Sequence, residues 1–252
     1  MSFHTFYYYF REFFFPSGCG GCGEALLSPL EAYYGLCQKC RAFLSAALYS
    51  EKRCGVCGKP LITERENCLS CRETMAASKG RFNEHLEKIH CLFPYSGKFK
   101  SVLSAYKFGK SLGLGNFLAN CIAASLDAFL PEISSTACAW VPVPPRPGKL
   151  KQYGWDQIEF MAKLLERKSP LLSPKWPVRR CLKRLPSKTQ KALNRQEREM
   201  NLLGRIICVK RPPKTAILFD DVITTGATLN ACAAALLKGG AEKVYGLCLF
   251  YD

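Results

Sequence analysis

The apolar positions of this 252-residue chain divide it in two. Up to about residue 75 there is little continuous apolar pattern, and short polar spacers separate pairs of cysteines. From Ile89 onward, apolar runs alternate with helical periodicities. Ile89–Tyr95 reads as a strand, while Phe99–Lys107 and Leu112–Leu130 read as helices parted by Phe108-Gly109-Lys110. Thr136–Pro145 reads as a buried strand halted by prolines, followed by a loop over Arg146–Gly154 and a helix over Trp155–Lys168. A further apolar run begins at Thr215 and ends in Asp220-Asp221. Beyond it, Leu229, Cys232, Ala233, Leu236 and Leu237 follow the i, i+3, i+4, i+7, i+8 spacing of a helix packed on one side. Gly239-Gly240 stops that helix, and Val244–Phe250 is the next buried strand. Strands alternating with helices predict an α/β domain with a mainly parallel sheet, with ligands at the carboxyl ends of its strands. The small, polar stretch Met75–Glu87 is the expected hinge, so the expected domains are 1–75 and 76–252.

The apolar-poor first third needs another source of stability, and its cysteines supply one. Eight of the fifteen stand in four C-x-x-C pairs: Cys19/Cys22, Cys37/Cys40, Cys54/Cys57 and Cys68/Cys71. Such a turn presents two thiolates on one side of a tight knuckle, and two knuckles complete a tetrahedron around zinc. Four pairs in series predict zinc ribbons with one or two structural Zn²⁺ ions, on which the segment folds. Sequential pairing (Cys19/Cys22/Cys37/Cys40, then Cys54/Cys57/Cys68/Cys71) is the simplest; an interleaved pairing stays open. The other seven cysteines (Cys91, Cys121, Cys138, Cys181, Cys208, Cys232, Cys248) read as small buried hydrophobes. His4, His85 and His90 have no partner pattern and read as surface residues.

Charge changes the picture more than composition does. Hydrophobic residues at 48% and charged residues at 22% are ordinary, but the net charge of +16 calls for an anionic partner. Thirteen Lys or Arg against two acids lie between Lys175 and Lys214, a net +11. The polar stretch within it, Ser187–Gly204, suits an arm that closes over pyrophosphate or tracks a nucleic-acid backbone. No apolar run is long enough to span a membrane, and the aromatic start (Met1–Pro16) lacks the marks of a signal peptide; a cytoplasmic location is expected. That aromatic start reads as an element packing on its own protein.

The specific chemistry lies in Ile217-Leu-Phe-Asp-Asp-Val-Ile-Thr-Thr-Gly-Ala-Thr-Leu229. Backbone N–H groups of Thr224, Thr225, Gly226, Ala227 and Thr228 open a helix and suit a phosphate. Two carboxylates beside a phosphate cradle repel phosphate, so Asp220 and Asp221 must face something else, either sugar hydroxyls or a hydrated magnesium ion. A phosphorylated ribose satisfies both halves. The segment resembles the 5-phosphoribosyl-1-pyrophosphate (PRPP) motif of type I phosphoribosyltransferases. That resemblance implies a Rossmann-like phosphoribosyltransferase domain behind the zinc ribbon, PRPP with Mg²⁺ as ligand, and Asp220 and Asp221 as the candidate catalytic pair.

Further blocks are similar to the ComF (GntX-like) family of competence-associated proteins: Phe13-Phe-Phe-Pro16, the paired knuckles, Tyr106-Lys-Phe-Gly109, Val141-Pro-Val-Pro144 with Gly154-Trp-Asp-Gln157, and Lys188-Thr-Gln190 to Arg195, Arg198 and Asn201. The resemblance implies that the loop after Pro144 approaches pyrophosphate and that Gln190 and Arg195 lie on a flexible loop. Where the family usually carries Arg-Gly-Phe-Asn-Gln, this chain has Tyr153-Gly-Trp-Asp-Gln157, losing a cation and gaining a carboxylate; Lys149 and Lys151 are the candidates to compensate. Three functions are expected to compete. The first is a PRPP-binding protein that handles single-stranded DNA in natural transformation, beside other competence or helicase-type proteins. The second is an active phosphoribosyltransferase on an unidentified acceptor, and the third a zinc-ribbon adaptor for protein partners.

Overall fold

In the computed structural model the described residues are 17–49, 52–56, 61, 63–76, 84–129, 138–168, 176–186 and 204–252. The aromatic start, Cys57, Gln190, Arg195 and the centre of the basic segment lie outside them.

The first third contributes three helices: α1 (Pro29–Tyr34), α2 (Gln38–Tyr49) and α3 (Leu69–Ala76). The Ser28 side chain caps α1 by accepting from Glu31 N–H, and Gly35 closes it in the left-handed conformation (φ 64°). The rest alternates as the apolar runs predict: β1 (Ile89–Pro94), α4 (Gly97–Lys107), α5 (Leu112–Phe129), β2 (Cys138–Pro142), α6 (Lys149–Tyr153), α7 (Gln157–Lys168), β3 (Leu182–Arg184), β4 (Ile206–Cys208), β5 (Thr215–Ile223), α8 (Ala227–Lys238) and β6 (Lys243–Tyr251). The expected loop over Arg146–Gly154 is in fact the short helix α6, bracketed by Gly148 and Gly154, both left-handed.

Four strands form one parallel sheet in the order β1-β6-β5-β2, while β3 and β4 pair antiparallel beside it. Parallel strands need coverage on both faces, and the side chains of β5 alternate accordingly. Ile217 and Phe219 join a core with α4, α5 and α7, whereas Ala216 and Leu218 join one with α8 and β4. The zinc-ribbon segment shares the first core: Leu36, Cys37, Cys40 and Leu44 pack with Leu114, Phe117 and Phe99. Backbones touch there too, since a Cβ on Gly113 would lie 2.6 Å from Gly35 N. His90, expected at the surface, is buried on β1, where burial together with the charges of Arg53 and Lys88 pushes it down to about 3. An apolar environment disfavours the imidazolium and keeps this ring neutral. Cys208 is only partly buried; the other six of the seven scattered cysteines are buried. Among the described residues, no helix is long and apolar enough to cross a membrane.

Candidate functional site

The sulfurs of Cys19, Cys22, Cys37 and Cys40 all lie within 4.8 Å of one another, and those of Cys54, Cys68 and Cys71 do the same. These groups follow the sequential arrangement. The Cys22 and Cys37 sulfurs are 3.8 Å apart, matching the ~3.8 Å edge of a tetrahedron whose thiolates sit ~2.3 Å from zinc. Burial disfavours a Cys19 thiolate, but N–H groups of Cys37 and Gly21 donate to its sulfur at 3.3 and 3.4 Å and outweigh that penalty, bringing the thiol down to about 7. The donor set suits a closed structural zinc.

The phosphate-type loop sits at the carboxyl end of β5. Gly226 adopts φ 74°, a conformation that costs a residue with a Cβ, and turns the chain into α8. Ala227 N–H is held by Thr225 Oγ1 at 3.3 Å, and Asn230 N–H by the Gly226 carbonyl. The first-turn N–H groups then converge at the positive end of the helix dipole, an arrangement suited to an anion.

The acidic pair behaves less simply than adjacency suggests. Strand alternation sends Asp221 toward the α4 and α7 layer, where its Oδ2 meets Lys107 Nζ at 2.8 Å and accepts from Gln157 Nε2 at 2.6 Å. Burial alone would raise Asp221, but the Lys107 ammonium and the Gln157 amide outweigh it and hold the carboxyl below its usual range. Asp220 shifts the other way, well above the usual carboxylate range, because it is desolvated and beside the Asp221 charge. The two carboxyls thus differ in environment while lying side by side, a spacing that suits the neighbouring hydroxyls of a ribose.

Two residues at this site carry roles that local sequence does not display. Lys107 and Gln157 come from the Tyr106–Gly109 and Gly154–Gln157 blocks, which Tyr106 joins by donating its hydroxyl to the Gln157 carbonyl at 2.6 Å. The carboxylate gained at Asp156 does not oppose an anion either. It caps α7, accepting from Ile158 and Glu159 N–H at 3.1 and 2.8 Å, and pairs with Lys149 Nζ at 2.6 Å. Lys149 also donates to Gln157 Oε1 at 2.6 Å, so it braces the site and is not a loose counter-charge; Lys151 is exposed on α6. Besides Lys107, Arg184 at the end of β3 lies within electrostatic reach of Asp220 and of Arg146. Burial, then the Arg146 charge, lowers Arg184 below its ordinary value.

Four likenesses to known proteins bear on this geometry. Residues 10–77 match the family model of the double zinc ribbon domain. Over 216 residues the chain is 24% identical to competence protein F of Haemophilus influenzae, covering 83% of this chain and 87% of that protein. It is 26% identical over 229 residues to competence protein ComFC of Bacillus subtilis, covering 89% and 86%. A local likeness, 45% over 49 residues, relates 19% of this chain to 14% of the ribose-phosphate pyrophosphokinase of Oceanobacillus iheyensis. That likeness and the parallel sheet support a phosphoribosyltransferase-like fold behind the zinc ribbon.

Proposed function

We propose that this chain, a homologue of competence protein F and ComFC, binds PRPP at the β5–α8 loop and handles single-stranded DNA during natural transformation. One observation carries the ligand: a left-handed glycine opens α8 five residues after a pair of adjacent carboxylates at the carboxyl end of a central parallel strand. The helix N-terminus takes the 5′-phosphate through the N–H groups and hydroxyls of Thr224–Thr228. Asp220 and Asp221 take the ribose hydroxyls. Arg146 and Arg184 serve the pyrophosphate.

Direct Mg²⁺ ligation by Asp221 Oδ2 does not fit, because that oxygen is already held by Lys107 and Gln157. A Mg²⁺ ion in this reading would arrive with PRPP and would offset the charge of its pyrophosphate. Zinc fits the two cysteine groups and has a structural role.

The names of the full-length relatives support the DNA part of the reading, as does the basic segment. Arg179, Lys210 and Arg211 line a cleft of about 550 Å³ beside β2, a track suited to a phosphate backbone. Arg180, on the same cleft, is held by Glu159 and Glu166. A second reading, turnover, is favoured by the Arg184 charge within electrostatic reach of Asp220. In it, an acceptor lone pair forms a bond to C1 of the ribose as the C1–O bond breaks and pyrophosphate leaves with its electrons.

Calorimetric titration with PRPP and Mg²⁺, repeated with a single-stranded oligonucleotide present, tests both parts. Saturable PRPP heat and oligonucleotide binding that weakens steeply with salt are expected, and pyrophosphate release abolished by Asp221→Asn would add turnover. A chain that takes up no PRPP would overturn the proposal.

A further inference from the structure

We propose that Arg53 couples metal binding at the second cysteine group to the outer edge of the sheet, so that zinc on Cys54, Cys68 and Cys71 keeps strand β1 closed. The inference stands apart from the phosphoribosyl reading of the β5–α8 loop.

The two cysteine groups are attached to the rest of the molecule in different ways. Cys37 and Cys40 lie within the apolar core that runs into α4 and α5. Among the described residues, Cys54 and Cys71 instead share a small cluster of their own with Leu61, separate from both cores of the sheet. Three buried side chains remove too little apolar surface from water to fix such a segment on a neighbour. A metal inside it and a polar contact outside it do that work. Arg53 makes the contact. It is half-buried, and its Nη1 donates to the Cys91 carbonyl while Nη2 reaches the Leu92 carbonyl at 3.4 Å.

Cys91 and Leu92 belong to β1, the outermost strand on its side of the order β1-β6-β5-β2. Gly246 of β6 donates its N–H to the Lys88 carbonyl at 2.9 Å. Backbone groups along a parallel strand alternate sides, so His90 and Leu92 turn theirs to β6 as well, and the Cys91 carbonyl points away from it. An outer strand leaves such groups outside the ladder, and here a guanidinium takes one of them.

The other end of the contact is tied to the metal group. Arg53 directly precedes Cys54, one peptide unit of ~3.8 Å away. The Lys52 carbonyl accepts from Leu61 N–H at 2.8 Å, Gly55 N–H donates to the Glu66 carbonyl at 3.0 Å, and Cys68 N–H donates to the Cys54 sulfur at 3.3 Å. Arg53 is thus bracketed by residues fixed to the later half of the segment, which carries Cys68 and Cys71. Zinc bonded to the three sulfurs makes that bracket rigid and holds the guanidinium on the strand. When the metal leaves, the bracket loosens and the arginine departs from the edge. Part of the zinc-binding free energy is then stability of β1, and by linkage the contact with β1 strengthens zinc binding.

Arg53→Met keeps every cysteine and removes the donors, so this one variant of the full, zinc-loaded chain is read in two ways. Loss of a charged hydrogen bond from the edge predicts that hydrogen exchange over Ile89–Phe93 speeds up roughly 10- to 150-fold. Cys138–Val141, on the strand at the opposite end of the sheet order, should exchange as in the native chain and so reports whether the whole fold has opened. In competition with a colorimetric chelator, one zinc equivalent should bind more weakly by a similar factor, with the other unchanged. Arg53→Lys, which keeps a cation and serves where methionine opens the whole fold, should shift both readouts in the same sense by less. Faster exchange at β1 with native zinc affinity, weaker zinc with a native β1, or no change in either would overturn the coupling.

Discussion

Lys107 is the most informative residue to remove. Its ammonium is the only cation in an ion pair with Asp221 among the described residues, at 2.8 Å, and the Asp221 side chain is only 9% exposed. Deleting one partner of a fully buried pair costs about 3–5 kcal/mol. Lys107 itself is 32% exposed and the Gln157 amide stays on the same oxygen, so solvent screening and that bond reduce the loss. We expect Lys107→Met to destabilise the chain by ~2 kcal/mol. The assay is a double-mutant cycle of Lys107→Met with Asp221→Asn, read by urea unfolding. Because the two side chains touch, their effects should be non-additive by ~1–2 kcal/mol, the second substitution costing little once the first is made. Effects that add to within about 0.5 kcal/mol would refute the claim that Lys107 neutralises Asp221. The same variants should bind ribose 5-phosphate differently. With Lys107 gone, Asp221 takes up a proton more readily and the pair loses its anionic acceptor.

Other outcomes follow from the same structure. Cys22 is exposed, so Cys22→Ser removes a thiolate without disturbing packing; it should nevertheless release one zinc equivalent by metal analysis and destabilise the chain by ~2 kcal/mol or more, because its knuckle is tied to the shared core. Gly226→Val places a branched residue at φ 74° and should abolish ribose 5-phosphate binding while costing about 1–2 kcal/mol in stability. His90 is held at about 3 in the fold against an ordinary 6.5, so the unfolded chain binds its proton first; stability is fully present above pH 6.5 and is lost as pH falls toward 3. Between pH 7 and pH 5 this amounts to about 2 kcal/mol, and His90→Gln should flatten the denaturation profile in that window by that amount.

The parallel sheet was legible because buried parallel strands leave uninterrupted apolar runs, as Val244–Phe250 does, and because Gly226 and Gly239 mark the two ends of α8. The cysteine knuckles were legible for a similar reason, since their spacing is local. What local spacing does not carry is partnership across the fold. Nothing near Lys107 in the sequence shows that it meets Asp221, more than a hundred residues later. Asp156 read as a charge set against pyrophosphate because its N-cap geometry exists only once α7 forms. His90 read as exposed because a single polar residue within Ile89–Tyr95 carries no sign of which side of β1 it faces. The turn of helix at Lys149–Tyr153 was hidden by the glycines and prolines around it, which mark a loop unless their φ values are known. Arg184 stayed inconspicuous among thirteen basic residues, and only its place at the end of β3 sets it apart from the others.

The most direct test of the central claim is a crystal structure of the full chain with PRPP. The account predicts the 5′-phosphate against the N–H groups of Thr225–Thr228, with the ribose hydroxyls on Asp220 and Asp221 and the pyrophosphate toward Arg146 and Arg184. A PRPP molecule lying in the basic cleft of Arg179 and Arg211, with the β5–α8 loop empty, would contradict it.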